Sequence, residues 1–385
     1  MDERTRLIRS ATRRGGPRRA VNPPIERATT LLNAKAADLR DSELGPTYGI
    51  EGLGVHRALE EAVRELEGAK HVFLVPTGLA AVTVAAQAIL RPNDEVLLTD
   101  AAYGPTRRFF ERQMKHWDVT PKFYRAAGAA DEILAMIGPR TKLLHIESPG
   151  SVTFDMIDAP ALAAGAKAAD VTTLMDNTWA AGVFFKPLAH GIDMSVQALS
   201  KYAGGHSDVF LGSIATNDDG MARRIHALIE DAGWYASPDD CWLVLRGMRT
   251  LRVRLAQHFE NAHNVAAWLE QQPEVAEVLW PALPSSPHHG LWRRDYSGAS
   301  GLMGVVLAPG SSDRAEALLD ALELFGLGYS WGGFESLATF EDPQLTRRVH
   351  QRALPGPLLR LHVGLESAED LIADLRRGLD RYASA

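Results

Sequence analysis

The chain is poor in cysteine: a single residue, Cys241, in 385. A lone cysteine excludes an intrachain disulfide framework and fits a reducing cytosol, so the expected location is cytoplasmic. Long apolar runs are missing as well. None approaches the roughly 20 residues that cross a bilayer, and no membrane partner is expected. Positive charge is not in surplus either. Lys and Arg total 41 against 48 Asp and Glu, a net charge of −7. Nucleic-acid affinity is built on clustered Lys and Arg, so nucleic acid is not expected as a partner. There is no internal repeat and no low-complexity segment. The histidines, among them the scattered His56, His145 and His362, show no metal-ligand spacing. The opening "MDERTRLIRSATRRGGPRRA" is Arg-rich like an organellar transit peptide, but Asp2 and Glu3 count against one. It reads as a mobile basic arm whose arginines meet a neighbouring subunit.

What is present is a globular composition, 46% hydrophobic and 23% charged, over more than one ordinary domain's length. To about Gly54 the chain has Pro, Gly and little periodicity, as in an extended arm. "HRALEEAVRELEG" then places Leu59, Val63 and Leu66 on one helical face, with Gly68 as the stop. After it, strand and helix patterns alternate. "HVFLV", "DEVLLTD", "TKLLHIESP", "VTTLMDN" and "GIDMSVQAL" read as strands. "PTGLAAVTVAAQAIL", "TRRFFERQMKHW" and "APALAAGAKAA" read as helices.

Such alternation predicts an α/β domain with a mostly parallel sheet. The helical "RTLRVRLAQHFENAHNVAAWLEQQ" bridges to a smaller end. There "VAEVLWP", "GLMGVVLA" and "LLRLHVGLE" read as strands, and "SDRAEALLDAL" and "AEDLIADLRRGLDRYA" as helices. The expected bounds are 1–54 for the arm, 55–247 for the α/β domain and 248–385 for an α+β domain.

In open α/β sheets a ligand sits at the carboxyl ends of the strands. Three features fall there. Asp176 closes "VTTLMD". Lys201 ends the apolar run of "SVQALSKYAGGHSDVFLG", where partial burial lowers an amine's pKa and suits it to attack a carbonyl. The turn Thr77-Gly78-Leu79 opens a helix, whose free N–H groups favour an anion. An amine, a carboxylate and a phosphate cradle at adjacent strand ends are what pyridoxal 5′-phosphate (PLP) requires. Tyr103, in "DAAYGP" beyond the strand "DEVLLTD", is placed to stack on its ring.

The stretch "MDNTWAAGVFFKPLAHGIDMSVQALSKYAGGHSD" closely resembles the cofactor-binding segment of the cysteine and methionine metabolism family of PLP enzymes. "VNPPIERATTLL", "ESPGS", "YSWGGFESL" and "LLRLHVGLE" match further signatures in order, so the likeness runs from about Val21 to the end. "ESPGS", "DNTWAAG" and "YSWGGFESL" are most similar to the cystathionine β-lyase branch. The γ-synthases and γ-lyases usually carry another residue where Trp331 stands.

The resemblance implies PLP fold type I, with a large seven-stranded sheet, and a homotetramer of dimers that share active sites. It implies a C–S lyase acting on a sulfur amino acid such as cystathionine. Lys201 would bond to the cofactor aldehyde and move the substrate's Cα proton. Asp176 would pair with the ring nitrogen and Tyr103 would stack. Gly78, Leu79 and Ser200 would hold the phosphate, helped by Tyr48 from the neighbouring subunit. Arg360 would clamp the substrate carboxylate, with Ser330 and Trp331 close by. Arg presents a planar fork that binds a carboxylate bidentately, which Lys cannot copy.

One departure stands out. Where the family usually carries an arginine two residues after the tyrosine, "TYGIEGLGVH" has Ile50, with Leu53-Gly54-Val55 in the following run.

Several of these residues have plainer readings when taken singly. Asp176 fits a helix cap as well as a ring partner. Tyr103 alone fits core packing, and Tyr48 an ordinary turn aromatic. Arg360 is harder to place on the surface, because it interrupts an apolar run. His206 and Asp208 read as structural, fixing the loop after Lys201. His288 and His289 lie in a Pro/Ser-rich loop and are expected in solvent. Trp179 reads as packing near the cofactor and Cys241 as a small core residue. Readings outside the β-lyases are a γ-lyase or γ-synthase, a lyase of other cysteine S-conjugates, and a non-catalytic PLP-binding protein.

Overall fold

The computed structural model describes residues 2–10 and 20–384. Its larger sheet comprises β1 (His71–Val75), β2 (Glu95–Thr99), β3 (Thr120–Tyr124), β4 (Thr141–Glu147), β5 (Thr172–Asp176), β6 (Met194–Ala198) and β7 (Gly212–Thr216). They lie in the order β1-β7-β6-β5-β4-β2-β3. Pairings among β2 to β6 are parallel. β7 opposes both of its neighbours. All strands but β7 therefore end on one edge, and β7 begins there.

In this sheet two strands were not legible in the hydrophobic pattern. β3, "TPKFY", carries Pro121 and sits at the sheet edge, where a missing N–H is tolerated. β7, "GSIAT", is built of small residues yet fully buried, because it is inserted between β1 and β6.

The smaller sheet comprises β8 (Val275–Leu279), β9 (Leu302–Leu307), β10 (Gly326–Leu327), β11 (Leu337–Phe340) and β12 (Leu358–His362), in the order β10-β11-β12-β9-β8. It is antiparallel except for β10 with β11.

Helices cover both faces of the larger sheet. Gly78–Ile89 packs on one face with Phe110, Met194 and Ile225. Gly54–Glu67 buries Leu59, Val63 and Leu66, and ends at Gly68 in the left-handed conformation that only glycine adopts cheaply. Ala159–Ala168 buries Leu162 in the core shared with the smaller sheet. The helix Leu251–Leu269 lies between the two sheets in sequence. Asp219–Ala232 and Pro238–Met248 are helices outside the sequence expectation. "TRRFFERQMKHW" falls in a helical stretch whose winding changes at Phe109 and again at Met114.

Trp179 joins the two sheets: its indole N–H donates to the carbonyl of Leu302 on β9 at 3.2 Å. The opening residues differ from the mobile arm expected. Glu3–Arg9 is a helix capped by Asp2, with Leu7 buried and Arg6 paired to Glu65 at 2.7 Å. The rest of the arginine-rich opening, residues 11–19 with Arg18 and Arg19 among them, lies outside the described residues.

Candidate active site

The parallel strands deliver their carboxyl ends, and the chemistry with them, to one edge. Asp176 is the last residue of β5, and Thr178, two residues on, fixes it. The Thr178 backbone N–H donates to Asp176 Oδ1 at 3.0 Å and its hydroxyl donates to the same oxygen at 2.6 Å. That hydroxyl also accepts the N–H of Ala198 at 2.9 Å, tying the end of β6 to the end of β5. Burial pushes the Asp176 carboxyl up from its ordinary value, while the Thr178 donors and the Lys201 charge oppose it.

Lys201 follows β6 by three residues. Its amine donates to Ser330 Oγ at 2.5 Å and lies 5.2 Å from the centre of the Trp331 ring. Burial, then the charge of Arg360, lowers its pKa to about 8, against the pull of Asp176. Two positive-φ residues shape this contact. Ser330 has φ 87°, uncommon for a residue with a Cβ. Gly332 has φ 88°, and a Cβ there would come 3.0 Å from Lys201 Cα and 2.8 Å from the Tyr202 nitrogen.

The anion cradle is equally tight. Thr77 Oγ1 accepts the N–H of Ala80 at 3.0 Å, which leaves Gly78 and Leu79 as the open donors of the helix N-terminus. A Cβ on Gly78 would stand 2.4 Å from Ala198 Cβ, and one on Gly212 would stand 2.2 Å from the Thr77 carbonyl oxygen. Ser200 sits beside Gly212, its hydroxyl accepting the Leu211 N–H at 2.9 Å.

Tyr103 caps the helix Gly104–Arg108 after β2 and is 47% exposed, so it is available as a ring face rather than packed in the core. Its backbone N–H donates to Glu147 Oε2 at 2.8 Å, and Ser151 Oγ donates to Glu147 Oε1 at 2.7 Å. Glu147 ends β4 and is the register partner of Asp176. Two carboxyls on adjacent strand ends resist ionising together. Burial first, then the charge of Asp176, pushes Glu147 up to about 8.

Arg360, on β12, reaches the same place from the smaller sheet. Its guanidinium lies 3.5 Å from the Ser330 carbonyl oxygen. The structure thus brings Lys201, Asp176, Tyr103, Ser330, Trp331 and Arg360 together. Tyr48 stands apart, half exposed on the arm, where it pairs with Thr30 in an isolated bridge. Ile50, on the turn Gly49–Glu51, is also exposed.

Other expectations resolve as follows. His206 Nδ1 donates to the Gly204 carbonyl, 2.8 Å away, bracing its loop, while Asp208 is exposed. Cys241 is buried in the core. His56 caps a helix, accepting the Leu53 N–H at 3.0 Å. His362 meets the Gly332 N–H at 3.1 Å, and burial lowers its pKa to about 3. Burial likewise lowers His145 to about 4. Trp179 is bound to Leu302 and packs edge-on to Tyr296.

His288 and His289 are not in solvent. Their loop folds back on the body of the protein, so that His288 pairs with Asp155 at 3.3 Å with only 17% of its side chain exposed, and His289 is half-buried. Thr178 and Glu147 were missed from sequence. The strand-end rule that selected Asp176 applies equally to Glu147, and a hydroxyl two residues past a carboxylate is a recognisable local acceptor–donor pattern.

A model of the Cys/Met metabolism PLP-dependent enzyme family matches residues 4–380. The cystathionine beta-lyase of Bordetella avium is 41% identical over 371 residues, covering 94% of this chain and 93% of that protein. The cystathionine beta-lyase of Escherichia coli (strain K12) is 40% identical over 376 residues, 94% of each. The crystal structure of cystathionine gamma synthase from Xanthomonas oryzae pv. oryzae, with aminoacrylate and cysteine, superposes with a TM-score of 0.92 at 30% identity. It covers 100% of this chain and 99% of that one. Because that family match takes in both sheets and every strand end described above, this chain belongs to the Cys/Met metabolism family of PLP-dependent enzymes.

Proposed function

We propose that the protein is a C–S β-lyase that splits cystathionine and water into homocysteine, pyruvate and ammonia. The observation that carries this reading is the Lys201 amine, lowered to about 8 and held at Ser330 Oγ, 2.5 Å away, on the same edge as Asp176 and Arg360.

The residues present fit PLP. The glycine cradle at Gly78 and Gly212 has no room for a Cβ, and two open N–H donors at a helix N-terminus suit a phosphate. Bound there, PLP supplies an aldehyde for the amine and a sink for the electron pair left at Cα. Lys201 would be the group that bonds to its aldehyde and moves the Cα proton. Asp176, pinned by Thr178, would hold the proton on the ring nitrogen. Tyr103 offers its face, set by the backbone bond to Glu147. Gly78, Leu79 and Ser200 hold the phosphate. Arg360 binds the α-carboxylate, and Ser330 Oγ, which accepts from the Lys201 amine, would keep that amine on station while it is free during turnover. The leaving thiolate departs from Cβ.

A γ-elimination or γ-synthase reading draws on the likeness to the Xanthomonas enzyme. It needs a further proton transfer at Cβ, and its 2-oxo acid is 2-oxobutyrate rather than pyruvate. Trp331, beside Lys201, favours the β reading. A panel of cystathionine, cystine, homocysteine and cysteine conjugates, assayed for 2-oxo acid and ammonia, tests it. Pyruvate from cystathionine is expected. 2-Oxobutyrate alone would reject it, and so would a colourless protein inactive with added PLP.

The domain bounds follow the same reading: arm to 54, cofactor domain 55–247, small domain 248–385. Among the described residues no helix is long and apolar enough to cross a membrane. A cytoplasmic homotetramer, with Tyr48 of one subunit reaching the phosphate of another, completes it. Charge-assisted bonds to a phosphate contribute roughly 1.5–3 kcal/mol each. Tyr48→Phe should therefore weaken PLP retention, and Ile50→Arg should tighten it, read by titrating cofactor-free protein with PLP. A monomer in solution with both variants unchanged would overturn the shared site.

A further inference from the structure

The antiparallel register of β11 and β12 sets Thr339 opposite Arg360. Side chains alternate along a strand, so Thr339 and Glu341 share a face with Arg360. The ladder continues one step past β11, since the Glu341 N–H donates to the Leu358 carbonyl at 2.9 Å. Glu341 is fully buried, at 0% exposure.

A buried carboxylate is costly unless its oxygens are met. Both are. Thr339 Oγ1 donates to Oε1 at 2.6 Å, Gln344 Nε2 donates to Oε2, and Arg360 Nε lies 3.5 Å from Oε1. Glu341 thus meets the guanidinium at Nε, the end nearest the side-chain stem. Gln344 reaches further: a Cβ on Gly104, the residue after Tyr103, would lie 3.6 Å from its Oε1.

We propose that Glu341 is a positioning residue for substrate binding: by holding Arg360 at Nε it aims the two terminal nitrogens at the α-carboxylate of the amino-acid substrate. This rests on the reading of Arg360 as the carboxylate site. The physical case is one of preorganisation. A free arginine loses side-chain freedom when it clamps a ligand, and a fork already oriented loses less. The charge of Glu341 works the other way, because a second anion beside Arg360 repels an incoming carboxylate. Orientation, not charge, is therefore what Glu341 contributes, and a neutral acceptor of the same shape replaces it.

The test uses the PLP-loaded enzyme with Glu341→Met, which fills the space without accepting a hydrogen bond, and Glu341→Gln, which still accepts one. Steady-state kinetics with cystathionine should show KM raised about 10- to 100-fold in Glu341→Met with kcat within a few-fold, and KM within about threefold of wild type in Glu341→Gln.

A second readout is independent of turnover. Absorbance titration with L-alanine and with ethylamine, which lacks the carboxylate, gives the preference of the site for a carboxylate. That preference should collapse in Glu341→Met and survive in Glu341→Gln. Arg360→Gln is the control. If Arg360→Gln abolishes the preference while Glu341→Met keeps it, Glu341 is only structural and the inference is overturned. If Arg360→Gln also keeps it, the carboxylate site itself lies elsewhere and both readings fall. Should Glu341→Met not fold, Glu341→Asp, which draws the carboxylate back by one methylene, must show an intermediate loss of the same preference; an unchanged preference overturns the inference.

Discussion

The sharpest expectation concerns the free amine of Lys201 in the cofactor-free protein. Its pKa is lowered to about 8 from an ordinary value of 10.5, by burial first and by the Arg360 charge second. At pH 7 a group with a pKa of about 8 is neutral in about one molecule in eleven, whereas an ordinary lysine is neutral in about one in three thousand, a difference of roughly 300-fold. Only the neutral amine attacks an aldehyde. The rate of modification by an amine-selective acylating reagent, followed at Lys201 by peptide mass spectrometry, should therefore rise with pH and level off above about 8. Surface lysines in the same digest should still be climbing at pH 9.

The neighbours set two further directions. Arg360→Leu removes a like charge and should move the midpoint up. Asp176→Asn removes the carboxylate that supports the charged amine and should move it down. A Lys201 midpoint near 10.5, or one indifferent to both substitutions, would refute the electrostatic reasoning.

Asp176→Asn should retain PLP yet lose several orders of magnitude in kcat, because the ring nitrogen must stay protonated for the ring to take up the electron pair as the Cα–H bond breaks; an unchanged kcat would make it structural. Thr178→Val, which removes one donor to Asp176 and the acceptor for Ala198, should show a smaller loss of the same kind. Glu147, raised to about 8, keeps its proton in the folded chain over the range where the unfolded chain has lost it, so its contribution to stability is full below pH 4.5 and fades as pH rises through 8. Glu147→Gln should be close to wild type at pH 5 and more stable by about 2–4 kcal/mol near pH 9 in urea denaturation, while an unchanged difference across that range would refute the raised pKa. Gly78→Ala should cost about 1–3 kcal/mol by overpacking against Ala198 and should weaken PLP binding roughly tenfold or more. A fully stable Gly78→Ala with wild-type affinity would show that the cradle yields.

How much of this was legible in the sequence depends on which kind of signal each residue carries. Apolar runs such as "HVFLV" and "TTLMD" announce strands because both faces are buried, and the strand-end rule then picks Asp176, Lys201 and the Thr77–Gly78 turn from one chain. β7 escaped the same reading because it opens on a glycine required by closeness rather than on an apolar side chain: the carbonyl of Thr77 leaves no room for a side chain at Gly212. The residues that orient others were hidden for a related reason. Thr178 and Glu147 act through hydrogen bonds to Asp176 and Tyr103, and Glu341 through its ion pair with Arg360, and polar residues in such positions look like ordinary surface until the register is known. Once it is known, each follows from a short rule. Glu147 pairs with Asp176 across β4 and β5, and Glu341 lies two residues beyond the partner of Arg360. A site assembled from strand ends therefore shows its reacting groups in the sequence, whereas the groups that hold them in place become visible only with the pairing of the strands.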